Sequence, residues 1–134
     1  MIPGKVRIIG GAWRGRSIKV IDSPGLRPTA DRTRETLFNC LGQRVDDLIC
    51  FDMFAGTGAL GFEAASRGAG RVVMVEQNRK VLAQLQDNRA YLLSKWTETT
   101  VPKPALVVDS GDVLASLKRF AMAGAGFDLV ALDP

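Results

Sequence analysis

The sequence predicts an α/β fold, a parallel sheet covered by helices and preceded by a β-hairpin, and three observations predict it. From residue 49 onward, short apolar runs at 49–54, 71–76, 105–109 and 127–133 alternate with segments of helical spacing at 59–67, 78–93 and 113–123. Strand, helix, strand in repetition calls for right-handed crossovers, which build a parallel sheet buried on both faces. A glycine-rich turn stands between the first run and the first of these helices. Upstream, residues 5–9 and 16–20 alternate polar with apolar side chains around Gly10, Gly11 and Gly15, the pattern of a hairpin with one apolar and one basic face.

The hairpin is assigned to residues 1–26 and the α/β body to 27–134. Trp13, at the hairpin tip beside Arg14, can stack on a base or pack down on the body; packing is the preferred reading, because Trp buries so much apolar area. After the turn Ser23-Pro24-Gly25, a helix is expected with Thr29 as its N-cap and Gly42 as its stop. Ala30, Leu37, Phe38 and Leu41 share its apolar face, and Arg32, Glu35 and Asn39 the opposite side. No internal repeat or low-complexity tract interrupts the chain.

At 134 residues and an apolar fraction of 46%, there is room for one domain with one core. The apolar runs fall far short of the ~20 residues that span a bilayer. The start, Met1-Ile2-Pro3-Gly4-Lys5, lacks the apolar stretch of a signal peptide, so a cytoplasmic location is expected. Cys40 and Cys50 lie in apolar contexts and read as two reduced core thiols. The absence of histidine excludes His-based triads, His general bases and most zinc sites, and no metal is expected. Chemistry then falls to carboxylates, backbone groups and a cofactor.

The net charge is +4, but through Arg34 eight basic residues stand against two acids, an excess of six that leaves −2 on the remaining hundred. A basic arm before a nearly neutral body fits a polyanionic partner, because clustered Lys and Arg release counterions from phosphates. A merely solvated charged surface is the plain alternative.

The segment Asp52-Met53-Phe54-Ala55-Gly56-Thr57-Gly58-Ala59-Leu60-Gly61 carries a G-x-G-x-x-G pattern at Gly56, Gly58 and Gly61, suited to a tight turn and a close backbone approach to a ligand. Alone, the pattern is shared by many enzymes. Glu76 ends the next strand 18 residues after Gly58, where an acid can accept from both hydroxyls of a ribose. The pair indicates a nucleoside cofactor. A nicotinamide dinucleotide would bring a pyrophosphate against Asp52, whereas S-adenosylmethionine brings an ammonium and a sulfonium, so Asp52 favours S-adenosylmethionine. Asp112, past the third strand, is placed to accept from an adenine amino group with Val113 against the ring. Its other reading is a helix N-cap, and Asp109 competes for either role. Phe54, Ala55, Thr57 and Gln77 complete the expected cofactor-binding set.

The last run, Phe127-Asp128-Leu129-Val130-Ala131-Leu132-Asp133-Pro134, resembles the start of the Asp/Asn-Pro-Pro-aromatic motif of methyltransferases acting on exocyclic or amide nitrogens. An arylamine is a poor nucleophile, so such a site must supply acceptors that orient its N–H bonds toward an in-line attack. Asp133 and a neighbouring backbone carbonyl at Pro134 would be these acceptors. Three longer blocks, Arg7-Ile8-Ile9-Gly10-Gly11-Ala12-Trp13-Arg14-Gly15-Arg16, Leu26-Arg27-Pro28-Thr29-Ala30-Asp31-Arg32-Thr33-Arg34-Glu35-Thr36-Leu37-Phe38-Asn39 and Phe54 through Ala69, resemble the RsmD-like ribosomal RNA guanine-N2 methyltransferases.

The resemblance implies a Rossmann-like class I methyltransferase sheet, S-adenosylmethionine as cofactor, and methyl transfer to the N2 amine of a guanine in small-subunit ribosomal RNA, naked or in an assembled subunit. It further implies that the hairpin faces RNA, with Arg7, Arg14, Arg16, Arg27 and Arg32 as the contacts. Arg32, Glu35 and Asn39 would line the cofactor or substrate side; an Arg32–Glu35 pair on a solvated face is the alternative. Such a sheet has seven strands, so the chain is expected to be a fragment ending after the fourth. A nicotinamide-dependent oxidoreductase and a non-catalytic RNA-binding remnant stay open as other readings.

Overall fold

A computed structural model describes residues 4–20, 31–53, 55–98, 102–122 and 127–131. The hairpin pairs β1 (Lys5–Arg7) with β2 (Ser17–Lys19) antiparallel, and α1 (Asp31–Cys40) leads into the body. There β3 (Ile49–Asp52), α2 (Ala59–Ser66), β4 (Arg71–Glu76), α3 (Arg79–Ser94), β5 (Ala105–Ser110), α4 (Val113–Met122) and β6 (Leu129–Ala131) follow. The four body strands are parallel, in the order β5-β4-β3-β6. Elements fall where the periodicity places them; β4 has the expected bounds, and most of the others differ at one or both ends by a residue or more.

The order explains where the helices lie. The chain steps outward from β3 to β4 to β5, and crossovers of one hand in one direction put α2 and α3 on the same face. It then returns to the far side of β3, so α4 covers the opposite face. The strands show the result in their alternation: Val72 and Met74 pack with the hairpin, α2 and α3, while Val73 and Val75 pack with Phe51 and Val113. The reversal falls between β3 and β6, where open α/β sheets leave a crevice at the carboxyl ends of their strands. Asp128 fixes the entry to β6: its N–H donates to Ile49 O at 2.8 Å, and its carboxylate accepts from Ile49 N at 2.9 Å.

Helix α2 is buried almost all round, and small residues allow it. A Cβ on Gly61 would come within 2.6 Å of Met74 Sδ, so only glycine lets α2 lie this close to β4. On the other side, Gly11 has φ +81° and a Cβ there would stand 1.9 Å from the Ser66 carbonyl oxygen. The hairpin tip therefore touches the helix backbone. Ala12 N donates to Ser66 O at 2.7 Å, Trp13 N donates to Ser66 Oγ at 2.9 Å, and Ser66 Oγ donates to Gly10 O at 2.6 Å. Trp13 is fully buried, edge-on to Trp96 with ring centroids 5.5 Å apart. Packing thus wins over base stacking. An aromatic of this size contributes about 4–6 kcal/mol, from about 150–250 Å² at about 25 cal/mol per Å².

The first helix departs from its expected pattern. Arg34 and Phe38 are the buried side chains of α1, while Leu37 and Leu41 are 38% and 37% exposed. The reason is Glu63, on α2, whose carboxylate is completely buried. Its Oε1 accepts from Ile9 N at 3.0 Å and Arg34 Nη1 at 2.8 Å; its Oε2 accepts from Gly10 N at 2.9 Å and Arg67 Nε at 2.9 Å. Arg34 also pairs with Asp31, and Arg67 lies over the Phe38 ring. An ionic contact thus turns α1 so that an arginine faces inward. Arg34, counted above within the basic arm, is neutralised inside the molecule.

Cys40, at the end of α1, is exposed and corrects the expectation of two core thiols; Cys50 on β3 is buried as expected. Desolvation, with the nearby charges of Asp128 and Asp52, pushes the Cys50 thiol up to about 11. Below that pH it is neutral and weakly nucleophilic. A chromogenic disulfide reagent at pH 8 should therefore titrate one thiol per native chain and two in guanidinium. Glu63→Gln removes a charge from between two buried guanidiniums and should destabilise the fold by about 3–5 kcal/mol, measured by urea unfolding followed through Trp fluorescence.

Candidate functional site

The glycine turn closes on itself before α2 begins. Ala55 N donates to Val75 O at 3.0 Å, which carries the turn across the top of β4, and Gly58 N donates to Ala55 O at 2.7 Å. Gly58, with φ 84°, is the N-cap residue of α2, and Thr57 Oγ1 accepts from Ala59 N at 3.2 Å. The three glycines have different physical duties. A Cβ on Gly58 would meet Phe62 at 2.4 Å and Leu85 at 2.6 Å, and Gly61 faces Met74, so both serve packing. Gly56, with φ 53°, is the one that turns its N–H toward an acid.

That acid is Glu76. Half-buried at the end of β4, it reaches across the turn so that Oε1 accepts from Gly56 N at 2.9 Å, while Oε2 accepts from Asn78 N at 2.8 Å. A carboxylate has about four lone-pair sites, so each oxygen retains capacity for a second donor. Asp52 stands at the end of the neighbouring strand and is 3% exposed. Two carboxylates and a largely buried glycine turn thus gather at the carboxyl ends of β3 and β4.

Other expected residues are more widely spread. Gln77 is exposed just past Glu76. Asp112 is exposed and accepts from Leu114 N at 3.1 Å, so it caps α4 as its alternative reading had it. Asp109 does not compete for that position: it accepts from Ser116 Oγ at 2.6 Å and pairs with Arg119 at 2.8 Å. Val113 is 8% exposed and packs with Phe51, Val73 and Val75. Phe54, Arg27, Asp133 and Pro134 lie outside the described residues, as does Thr29. Arg7 and Arg14 are exposed on the hairpin and Arg16 is half-buried; Arg32, Glu35 and Asn39 form an exposed side of α1. Neither a metal-holding cluster nor a helix long and apolar enough to cross a membrane occurs among the described residues.

Sequence reasoning missed Glu63, Arg34 and Arg67 as a unit, and Asn88, whose side chain bonds Lys19 N at 3.0 Å and Lys19 O at 2.8 Å to hold β2 on α3. A lone acid in the otherwise apolar run Ala59-Leu60-Gly61-Phe62-Glu63-Ala64-Ala65 was the available signal, since buried charges must be paired.

A solved S-adenosylmethionine-dependent methyltransferase from Agrobacterium tumefaciens has a similar fold (TM-score 0.65, 19% identity, 94% of this chain and 40% of that one), and the solved Escherichia coli protein named Putative methyltransferase yhhF is 42% identical (TM-score 0.69, 85% of this chain and 56% of that one). The profile of the family described as Conserved hypothetical protein 95 matches residues 6–134, and the chain belongs to that family. Ribosomal RNA small subunit methyltransferase D of Escherichia coli K12 is 46% identical over 131 residues, covering 98% of this chain and 60% of the relative. The protein of that name from Haemophilus influenzae is 53% identical over 85 residues, covering 63% of this chain and 44% of the relative. The chain therefore spans about half to three-fifths of these relatives' lengths.

Gly58→Ala should destabilise the fold by about 2–5 kcal/mol, the sum of left-handed strain and overpacking against Phe62 and Leu85. Urea unfolding of the variant beside the parent checks it.

Proposed function

We propose that the chain carries the cofactor half of a methyltransferase that moves a methyl group from S-adenosylmethionine to the exocyclic N2 amine of a guanine in small-subunit ribosomal RNA. The observation that carries this reading is the Glu76 carboxylate held over the Gly56 turn, with the buried Asp52 beside it. The donor set suits this cofactor: Glu76 has acceptor capacity for two ribose hydroxyls, and two carboxylates at the turn attract a cation and repel a pyrophosphate. When bound, the cofactor supplies an electrophilic methyl on a sulfonium. Asp52 balances its positive charge, Asp112 accepts from the adenine amine, and Ala55, Thr57, Gln77 and Val113 border the nucleoside. Asp133 accepts from the target amine and orients its lone pair. Membership of the family, and the names of its relatives, support the reading, and a cytoplasmic site of action accords with it.

The hairpin arm meets the RNA in this reading. Arg7 and Arg14 are exposed on the hairpin that Glu63 ties to α2, Arg16 and Arg32 extend the basic surface, and Arg27, outside the described residues, is assigned to the same contact by the family resemblance.

Glu76→Gln keeps the shape and removes a charge-assisted acceptor worth about 1.5–3 kcal/mol, so calorimetry should show S-adenosylmethionine binding at least about tenfold weaker in a variant with unchanged circular dichroism. Unchanged affinity removes Glu76 from the site. Substituting Arg7, Arg14 and Arg16 together with Gln should weaken RNA binding and lower its log–log salt slope by about 0.7–0.9 per lost phosphate contact, while cofactor binding stays level. Tritium transfer from labelled cofactor to purified small subunits and to free RNA tests the activity and its substrate.

A further inference from the structure

An open groove of about 510 Å³ runs between the hairpin and α3, on surface that the arginines above do not occupy. Its hairpin wall carries Lys5 and Lys19, and its helical floor carries Gln84, Asp87, Asn88 and Tyr91. Lys5 and Lys19 are register partners. Val20 N donates to Gly4 O and Ile8 N to Arg16 O, so the alternation makes Lys5–Lys19 a non-hydrogen-bonded pair, the kind whose side chains stand closest. Lys19 instead gives its backbone N–H and C=O to the Asn88 amide, which fixes the wall to the floor. Neither ammonium has a carboxylate partner among the described residues. Like charges set opposite each other destabilise a hairpin. An anion between them would reverse the sign of that interaction.

The floor has a different character. Tyr91 is 41% exposed, and Lys95 Nζ stands 6.0 Å from its ring centroid. Gln84, Asn88 and Tyr91 follow one another along one face of α3, and Asp87 adds an acceptor that phosphates avoid and base amines do not. One wall thus suits phosphate and the other suits a base. One end of the groove lies beside the glycine turn, because Lys19 and Gln84 also border a narrow crevice, closed to water, whose other wall is Gly56 and Thr57.

We propose that this groove is a second, single-stranded RNA subsite, in which Lys5 and Lys19 take backbone phosphate, Tyr91 stacks a base, and the strand is led toward the glycine turn. The proposal rests on the reading of the chain as an RNA-directed methyltransferase module. An acidic peptide would satisfy the lysines but leave Tyr91 without a flat partner.

Fluorescence anisotropy with a labelled single-stranded RNA of about 12 nucleotides, titrated over a range of salt, tests it on the whole chain. Lys5→Gln with Lys19→Gln should lower the log–log salt slope by about 1.4, two single-strand phosphate contacts. Tyr91→Leu should weaken binding roughly tenfold with the slope unchanged. Both variants should bind S-adenosylmethionine as the parent does, which separates this test from that of Glu76. If the parent binds RNA and the Arg7, Arg14 and Arg16 substitutions weaken it while both groove variants match the parent, the groove proposal fails alone. Polyglutamate competing as well as RNA, with Tyr91→Leu neutral, overturns it in favour of an acidic peptide. No RNA binding by the parent overturns both the groove and the RNA half of the proposed function.

Discussion

A single buried carboxylate holds this molecule in register. Glu63 is surrounded by two guanidiniums and two backbone N–H groups, each within 3.0 Å, and these come from three separate parts of the chain. Desolvating a carboxylate is costly, and here the cost is offset because every partner is a donor and two carry charge. The same geometry gives specificity. Sliding the hairpin, rotating α1 or moving α2 would leave a buried charge facing apolar atoms, so one arrangement of the three elements is selected over neighbours of similar apolar burial.

Close approach is the second constraint, and the Glu63 contacts require it. The carboxylate can reach the hairpin backbone because Gly10 and Gly11 bring that backbone onto α2, with Arg67 atoms 3.0 Å and Ser66 O 1.9 Å from where Cβ atoms would be. On the opposite side, Gly61 lowers α2 onto Met74 and Val72. The helix is a short rod of about 12 Å, from about 1.5 Å per residue, clamped between sheet and hairpin. Its first turn grows out of the glycine loop and its last turn carries the contacts to the hairpin tip. The proposed cofactor turn and the hairpin tip are therefore at opposite ends of α2, which sets their separation.

The body's chemistry gathers at one edge for topological reasons. Strands β3 and β4 are adjacent, with Asp52 opposite Met74 and Glu76 two residues further along the same face, so the two acids come to one end of the sheet although far apart in sequence, and the turn after β3 passes over the end of β4. An acid at the end of a buried strand finds few donors in the core, and Glu76 finds two in loop N–H groups. This leaves the carboxylate ordered and half-exposed.

The sequence by itself determined the strand and helix order, the hairpin, the glycine turn and the position of Glu76, because each depends on local periodicity or on a turn that only glycine tolerates. It also separated Asp52 and Asp112 as candidates, and it correctly preferred packing for Trp13. What the tertiary structure decided was which partners these groups meet. Leu37, Phe38 and Leu41 look like core residues by helical spacing, and Phe38 is buried as expected, but the buried ion pair turns Arg34 inward and leaves Leu37 and Leu41 exposed, with Cys40 on the outward side. Gly58 and Gly61 read as ligand-facing, yet their missing side chains are filled by Phe62, Leu85 and Met74. Asp109 competes with Asp112 by sequence, and the structure separates them: Arg119 and Ser116 engage Asp109, and the start of α4 engages Asp112. The buried Arg34–Glu63 pair and the contacts of Gly58 with Leu85 and Gly61 with Met74 join residues distant in sequence, and periodicity carries no record of such contacts.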